Sequence, residues 1–302
     1  MEMMSASVES WGDRPRPARG LLADAWRDFR RNRAAVAGAA VLAVVVLSAW
    51  VGPVASPYRF DEQELAEQLE PPSLKHPFGT DIAGRDLLTR VLFGGRVSLL
   101  VGLAGTLVSL VIGVTWGAVA GYAGGRIDNY MMRFVDLLYS LPFMFFVILL
   151  VTLFGRSLLL LFVALGAVQW LTMSRIVRGQ ILTLKTQPFV EAARALGVRN
   201  RRIVFNHLVP NLLGPVIVYA TLTVPVIMLE EAFLSFLGLG VSPPATSWGL
   251  LAAEGAASIS IVRTNWWLIV FPGAALSLTL LCLNFLGDGL RDGLDPRHAR
   301  RR

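Results

Sequence analysis

The sequence is poor in the residues that usually carry chemistry. It has one cysteine and three histidines in 302 residues. Cys282 permits no internal disulfide and no cysteine-based metal cluster; within an apolar run it reads as a small hydrophobe. His76, His207 and His298 fall in different loops, so no catalytic triad and no metal-ligand set assembles from them. Lysine is almost missing. Lys75 and Lys185 each follow leucine, whereas a Walker A loop needs Gly-Lys before Ser or Thr. The chain therefore carries no nucleotide site of that kind. Charge is scarce too: 16% of residues are charged, against about a quarter in soluble domains. No charged residue falls in the middle of a long apolar run. Asp136 is expected near one end of such a run and Glu230-Glu231 at the end of another, which argues against a proton-coupled carrier.

What the sequence has is apolar length. Hydrophobic residues make up 54% and mean hydropathy is +0.57. Six runs have about the twenty residues needed to cross a hydrocarbon core: Ala34–Pro53, Val97–Gly121, Phe134–Phe154, Ser157–Met173, Leu208–Leu229 and Thr264–Leu286. The expected fold is an all-α membrane protein of six transmembrane helices. The first run is longer than the 7–15 residues of a signal-peptide core and its basic leader is long, so it reads as an uncleaved span.

The net charge of +7 does not point to nucleic acid, because of where it lies. With the N-terminus placed in the cytoplasm, 21 of the 28 basic residues fall in cytoplasmic segments and 7 in external ones. This bias follows the positive-inside rule and puts both termini in the cytoplasm. The division that follows is a cytoplasmic tail and amphipathic helix over 1–33, the first span over 34–53, an external segment over 54–96, a five-helix core over 97–287, and a cytoplasmic tail over 288–302.

Residues 1–20 show no apolar period. From Leu21 to Arg33, Leu22, Trp26 and Phe29 share one helix face, which suits either the membrane surface or packing on the protein itself. In the external segment Asp61, Glu62, Glu64, Glu67 and Glu70 are followed by Pro71-Pro72, which stops any helix. His76 is expected to cap a turn there. A helix through Leu87, Leu88, Val91 and Leu92 leads into the second span. Gly113, Gly117, Gly121 and Gly125 form a stripe that lets another helix of the bundle approach closely. Pro142, Pro215, Pro225 and Pro272 lie within spans and permit kinks.

The most informative stretch is the basic loop from Arg175 to His207. Glu191-Ala192-Ala193-Arg194-Ala195-Leu196 suits a short helix, and Gly197 suits a left-handed cap. Glu-Ala-Ala, three residues, glycine, nine residues and a closing proline, here Glu191, Ala192, Ala193, Gly197 and Pro210, resembles the EAA motif of permease subunits in ATP-binding-cassette importers. His207 and Val209 stand where that pattern has isoleucine and leucine. The segments His76-Pro77-Phe78-Gly79-Thr80-Asp81, Gly84-Arg85-Asp86, Phe233 to Gly240, Ser247-Trp248-Gly249 and Gly287 to Pro296 resemble the C-type permeases of peptide and nickel importers. Pro142 to Phe146 and Arg175 to Gln180 are most similar to the oligopeptide branch.

That resemblance implies the type I importer permease fold and a place in the inner membrane of a bacterium. It implies partners: a second, B-type permease, two ATPase subunits and an extracytoplasmic solute-binding protein, besides membrane lipid. It implies no cofactor on this chain, with ATP and magnesium held by the ATPase subunits. The EAA loop, at about 178–207, would dock on an ATPase through Glu191, Ala192, Ala193, Gly197 and Pro210. Phe143, Met144 and Phe146 are weak candidates for lining a peptide path. Rival classes are an ion-driven carrier or channel, and a membrane enzyme.

Overall fold

The computed structural model describes residues 26–27, 29–155, 157–259 and 264–294. Leu22, His298 and the Asp295-Pro296 end of the tail motif lie outside the described residues. Regular structure among them is helical: α1 (Arg33–Ala55), α2 (Leu87–Ala123), α3 (Gly125–Tyr139), α4 (Phe143–Phe154), α5 (Leu158–Leu184), α6 (Pro188–Ala195), α7 (Leu213–Phe236), α8 (Trp248–Ala257) and α9 (Trp267–Leu294), with short helical turns between α6 and α7. Five of these helices, α1, α2, α5, α7 and α9, are long and apolar enough to cross a membrane.

The third expected span is not one helix. α3 stops at Tyr139 and α4 starts at Phe143, with Ser140, Leu141 and Pro142 between them. Pro142 has no amide to donate and pushes the residue before it away from helical geometry. α3 also begins nine residues earlier than Phe134, and its early turns are polar. Asp128 is buried there and accepts two bonds from Arg178 on α5, at 2.5 and 2.7 Å. Asp136 pairs with Arg175 at 2.7 Å.

Those pairs correct the fourth span as well. The sequence puts Arg175 and Arg178 in a loop after Met173, but α5 continues through them to Leu184. Their charges are matched by α3 carboxylates, so they lengthen the helix instead of ending it. The fifth span is displaced the other way. α7 runs from Leu213 to Phe236 instead of Leu208 to Leu229, which carries Glu230 and Glu231 into the helix. α9 runs on to Leu294, so the start of the expected tail is helical.

Glycine sets the closest helix pair. A Cβ at Gly117 would stand 2.4 Å from the Ser174 carbonyl oxygen, and one at Gly113 2.6 Å from Met173 Cβ. Gly121 meets Ile181 in the same way. α2 therefore lies backbone to backbone on α5. Gly125 is not part of the stripe: it begins α3, has φ +55°, and nothing lies near its missing Cβ.

Pro53 lies inside α1 and leaves the Ala49 carbonyl without its helical donor. Arg96 on α2 turns toward that gap, with Nε 3.4 Å from Ala49 O and Nη2 3.0 Å from Trp50 O. Phe29 is buried against Gly289 on α9, so the N-terminal aromatic face packs partly on the protein, while Trp26 stacks on Phe29 and stays exposed.

The segment over 54–96 is held by charge pairs. His76 is buried between two carboxylates, with Nδ1 2.9 Å from Asp86 and Nε2 2.9 Å from Glu67. Asp86 also caps α2 by accepting from the Thr89 amide at 2.8 Å. Arg90 joins Asp81 to Glu254 of α8, the latter at 2.7 Å. Trp248 at the start of α8 donates from Nε1 to the Val91 carbonyl at 2.8 Å. The Glu67 carboxyl is held below its usual range, first by Lys75 and then by His76. A lowered value means its stabilising contribution is present at neutral pH and is lost as pH falls through that value. Amide exchange over residues 65–80, corrected for intrinsic rates, should be slow at pH 7 and quicken below about pH 4. His76→Ala should produce the same loosening at neutral pH, because a buried partner of two carboxylates is gone; the loss is about 1–3 kcal/mol.

Candidate functional site: the basic helical hairpin and the cavity at the helix break

Pro188 starts α6 because its fixed φ suits the first helical position. Glu191 lies in the first turn, where the helix dipole favours a carboxylate. Leu196 and Gly197 stop it. Gly197 has φ +73°; its amide donates to Arg194 O at 2.9 Å and the Val198 amide to Ala193 O at 3.0 Å. This is a Schellman motif, and its left-handed residue is the glycine. Nothing lies within 4 Å of a Cβ built on Gly197, so the demand for glycine there is conformational only.

α6 has two faces. Val190 and Ala193 are buried with Ile203, Val204, Leu208 and Leu212. Ala193 thus belongs to the protein's own core and is not open to a partner. Glu191, Ala192 and Ala195 are exposed, and Leu196 is 83% exposed. The hairpin returns through Asn200–Arg202 and a wide helical turn at Ile203–Leu208. Pro210 follows that turn and is exposed. It withholds an amide from the preceding turn, which is a common origin of such widening.

Two contacts fix the hairpin to the end of α2, and a third ties the end of α5 beside it. Tyr122 Oη donates to Asn200 Oδ1 at 2.8 Å, the Arg194 guanidinium lies 5.3 Å from the Tyr122 ring centre, and Lys185 Nζ donates to Gly121 O at 2.8 Å. Arg199, Arg201 and Arg202 are exposed around it. The hairpin presents a basic surface with one bare leucine at its tip.

A cavity of about 380 Å³ opens where α3 and α4 are broken. Its walls include Tyr139, Pro142, Phe146, Gln169, Thr172 and Glu230. Gln169 Nε2 donates to Glu230 Oε1 at 2.6 Å. Glu231 points elsewhere; it is buried and accepts from Ser235 and Ser247 at 2.6 and 2.7 Å. Of the three residues named from sequence as path candidates, Phe146 lines this cavity. The side chains of Phe143 and Met144 lie outside the described residues. Sequence reasoning missed Glu230, Gln169 and Leu196. The signal for the first was a pair of carboxylates inside Leu222 to Phe236, an otherwise apolar stretch.

Long apolar helices, a mainly apolar cavity holding Gln169, Thr172 and Glu230 at a broken span, and a charged hairpin at one end describe a multi-pass membrane protein built around an internal opening. Family comparison makes the assignment specific. The binding-protein-dependent transport system inner membrane component matches residues 113–300, and the N-terminal TM domain of oligopeptide transport permease C matches residues 20–72. The chain belongs to the family of binding-protein-dependent transport inner membrane components. It is 52% identical to the oligopeptide transport system permease protein OppC of Escherichia coli K12, over 92% of each chain. It is 51% identical to OppC of Haemophilus influenzae, over 92% of this chain and 89% of that one. It is 46% identical to the dipeptide transport system permease protein DppC of Bacillus subtilis, over 94% of this chain and 88% of that one.

Proposed function

We propose that this chain is one permease half of an ATP-driven peptide importer in a bacterial inner membrane, with six membrane crossings and both termini cytoplasmic. α3 and α4 together make the sixth crossing. The observation that carries the reading is the α6 hairpin: an exposed, capped helix held by Tyr122 at a basic end of the bundle. It is a handle through which a soluble partner can move α2 and α5 as one body. The relatives named for oligopeptide and dipeptide transport supply the cargo class.

In this reading two ATPase subunits bind ATP and magnesium, and this chain holds no cofactor. Glu191, Ala192, Leu196 and Gly197 meet one ATPase, with Pro210 shaping the return strand. A second permease completes the path, and an extracytoplasmic binding protein delivers peptide to the external segment. ATP closure of the ATPase pair pulls the hairpin, and the bundle exchanges inward and outward openings.

The test is the complex reconstituted in proteoliposomes with its binding protein. Peptide should stimulate ATP hydrolysis and enter the vesicles, and dipeptides and longer peptides compared side by side rank the two cargo lengths. Stimulation by nickel alone, with no response to any peptide, would reject the cargo. Topology has its own check. A cysteine at position 64 in a Cys282→Ala background should react with an impermeant maleimide in intact cells. Reaction only after the membrane is broken would reverse the orientation.

A further inference from the structure

We propose that Glu230, presented by Gln169 into the cavity at the α3–α4 break, binds the α-ammonium group of the passing peptide. The inference rests on the importer reading and specifies where that importer grips its cargo. A carboxylate inside a membrane helix is costly and is retained where it has a partner or a task. Glu230 has half a partner. Oε1 accepts from Gln169, while Oε2 is enclosed and has no hydrogen-bond partner among the described residues. Arg175, which lies over the ring of the cavity residue Tyr139 at 4.4 Å, is engaged by Asp136. Glu231 on the same helix also has an unpartnered Oε2, but its other oxygen is held by two serine hydroxyls in the packed core and it does not line the cavity, whereas Glu230 does.

The second observation is the backbone. Non-helical chain at membrane depth is tolerated where it is buried in protein or lines a water-filled space. Ser140 to Pro142 breaks the span at this point, and Leu141 and Pro142 line the same cavity as Glu230. A volume of about 380 Å³ lies in the range of small-ligand sites. Peptides of different sequence share few features: an ammonium, amide groups and a carboxylate. A carrier without a sequence preference must hold those. Glu230 offers a charge to the ammonium and repels the carboxylate, so the peptide meets it N-terminus first. Gln169 and Thr172 offer neutral polar groups alongside.

The experiment uses the purified complex without its binding protein, titrated with trialanine and with N-acetyl-trialanine and read by saturation-transfer NMR. Trialanine should bind, and acetylation should weaken binding roughly tenfold or more, the scale of a lost charged hydrogen bond. Glu230→Gln keeps the shape and the Gln169 contact but should bind both peptides equally weakly. Glu230→Asp should restore preference for the free ammonium. Equal binding of the two peptides by the wild type would overturn the assignment, as would a Glu230→Gln complex that still prefers trialanine. Loss of the second permease on purification of Glu230→Gln would also overturn it, by making Glu230 an inter-subunit contact. Failure of the wild-type complex to respond to loaded binding protein would instead remove the importer reading beneath it.

Discussion

Gly117→Leu is expected to leave almost no folded protein in the membrane. The added Cβ would stand 2.4 Å from the Ser174 carbonyl oxygen and 2.9 Å from Val177 Cβ. The nearer atom is backbone in the middle of α5, so no side chain can turn aside to make room. α2 and α5 must separate, and contacts at Gly113 and Gly121 on the same seam are lost with it. Overpacking a well-filled core costs roughly 1–3 kcal/mol. Lost seam contacts add to that, against a total stability of about 5–15 kcal/mol. Gly179 on α5 is the control. Nothing lies within 4 Å of its Cβ position, so Gly179→Ala should be neutral or stabilising by about 1 kcal/mol. Detergent-extracted yield and thermal unfolding of the two variants should differ sharply. Equal yields would mean that the glycine seam is not what holds the bundle.

Breaking the hairpin tip should separate transport from folding. Leu196→Asp places a charge on a side chain that touches little of its own protein. It should insert and fold like the wild type, yet copurify with less than a tenth of the ATPase. A buried apolar anchor in an interface is worth about 2 kcal/mol or more, which exceeds a tenfold change. Glu191→Ala should act in the same direction through loss of a charged contact of about 1.5–3 kcal/mol. Gly197→Val acts differently. It forces a β-branched residue to φ near +73°, at a strain of about 1–2 kcal/mol, and frays the cap that orients the helix. Its ATPase should still bind but respond less to peptide. Pull-down and peptide-stimulated hydrolysis together distinguish the three. Wild-type transport by all of them would make the hairpin a connector and nothing more.

Much of the architecture was legible in the order of residues, because membrane insertion is decided by local quantities. Hydropathy over about twenty residues marks a span, and the sides occupied by arginine set the orientation expected for it. The stop of α6 was legible for a similar reason, while its start lies at Pro188, three residues before the Glu191 expected from sequence. Proline, glycine and alanine act through their own dihedral preferences, and Gly197 takes the positive φ that its place after Leu196 calls for.

Other features depended on partners far away in the chain. Arg175 and Arg178 looked like a loop because an unpaired charge ends a span; Asp136 and Asp128 on another helix make them part of one. Ala193 looked available to a partner until Ile203 and Leu208 closed over it. Glu230 reads from sequence as the end of an apolar run; in the structure it lies within α7 and meets Gln169 beside a cavity. By itself the sequence determined which segments are apolar, where α6 ends, and where the basic residues fall along the chain. The tertiary structure alone decided which charges are neutralised, which faces are covered and where the interior opens, because burial and pairing are properties of two surfaces brought together and neither is written in one.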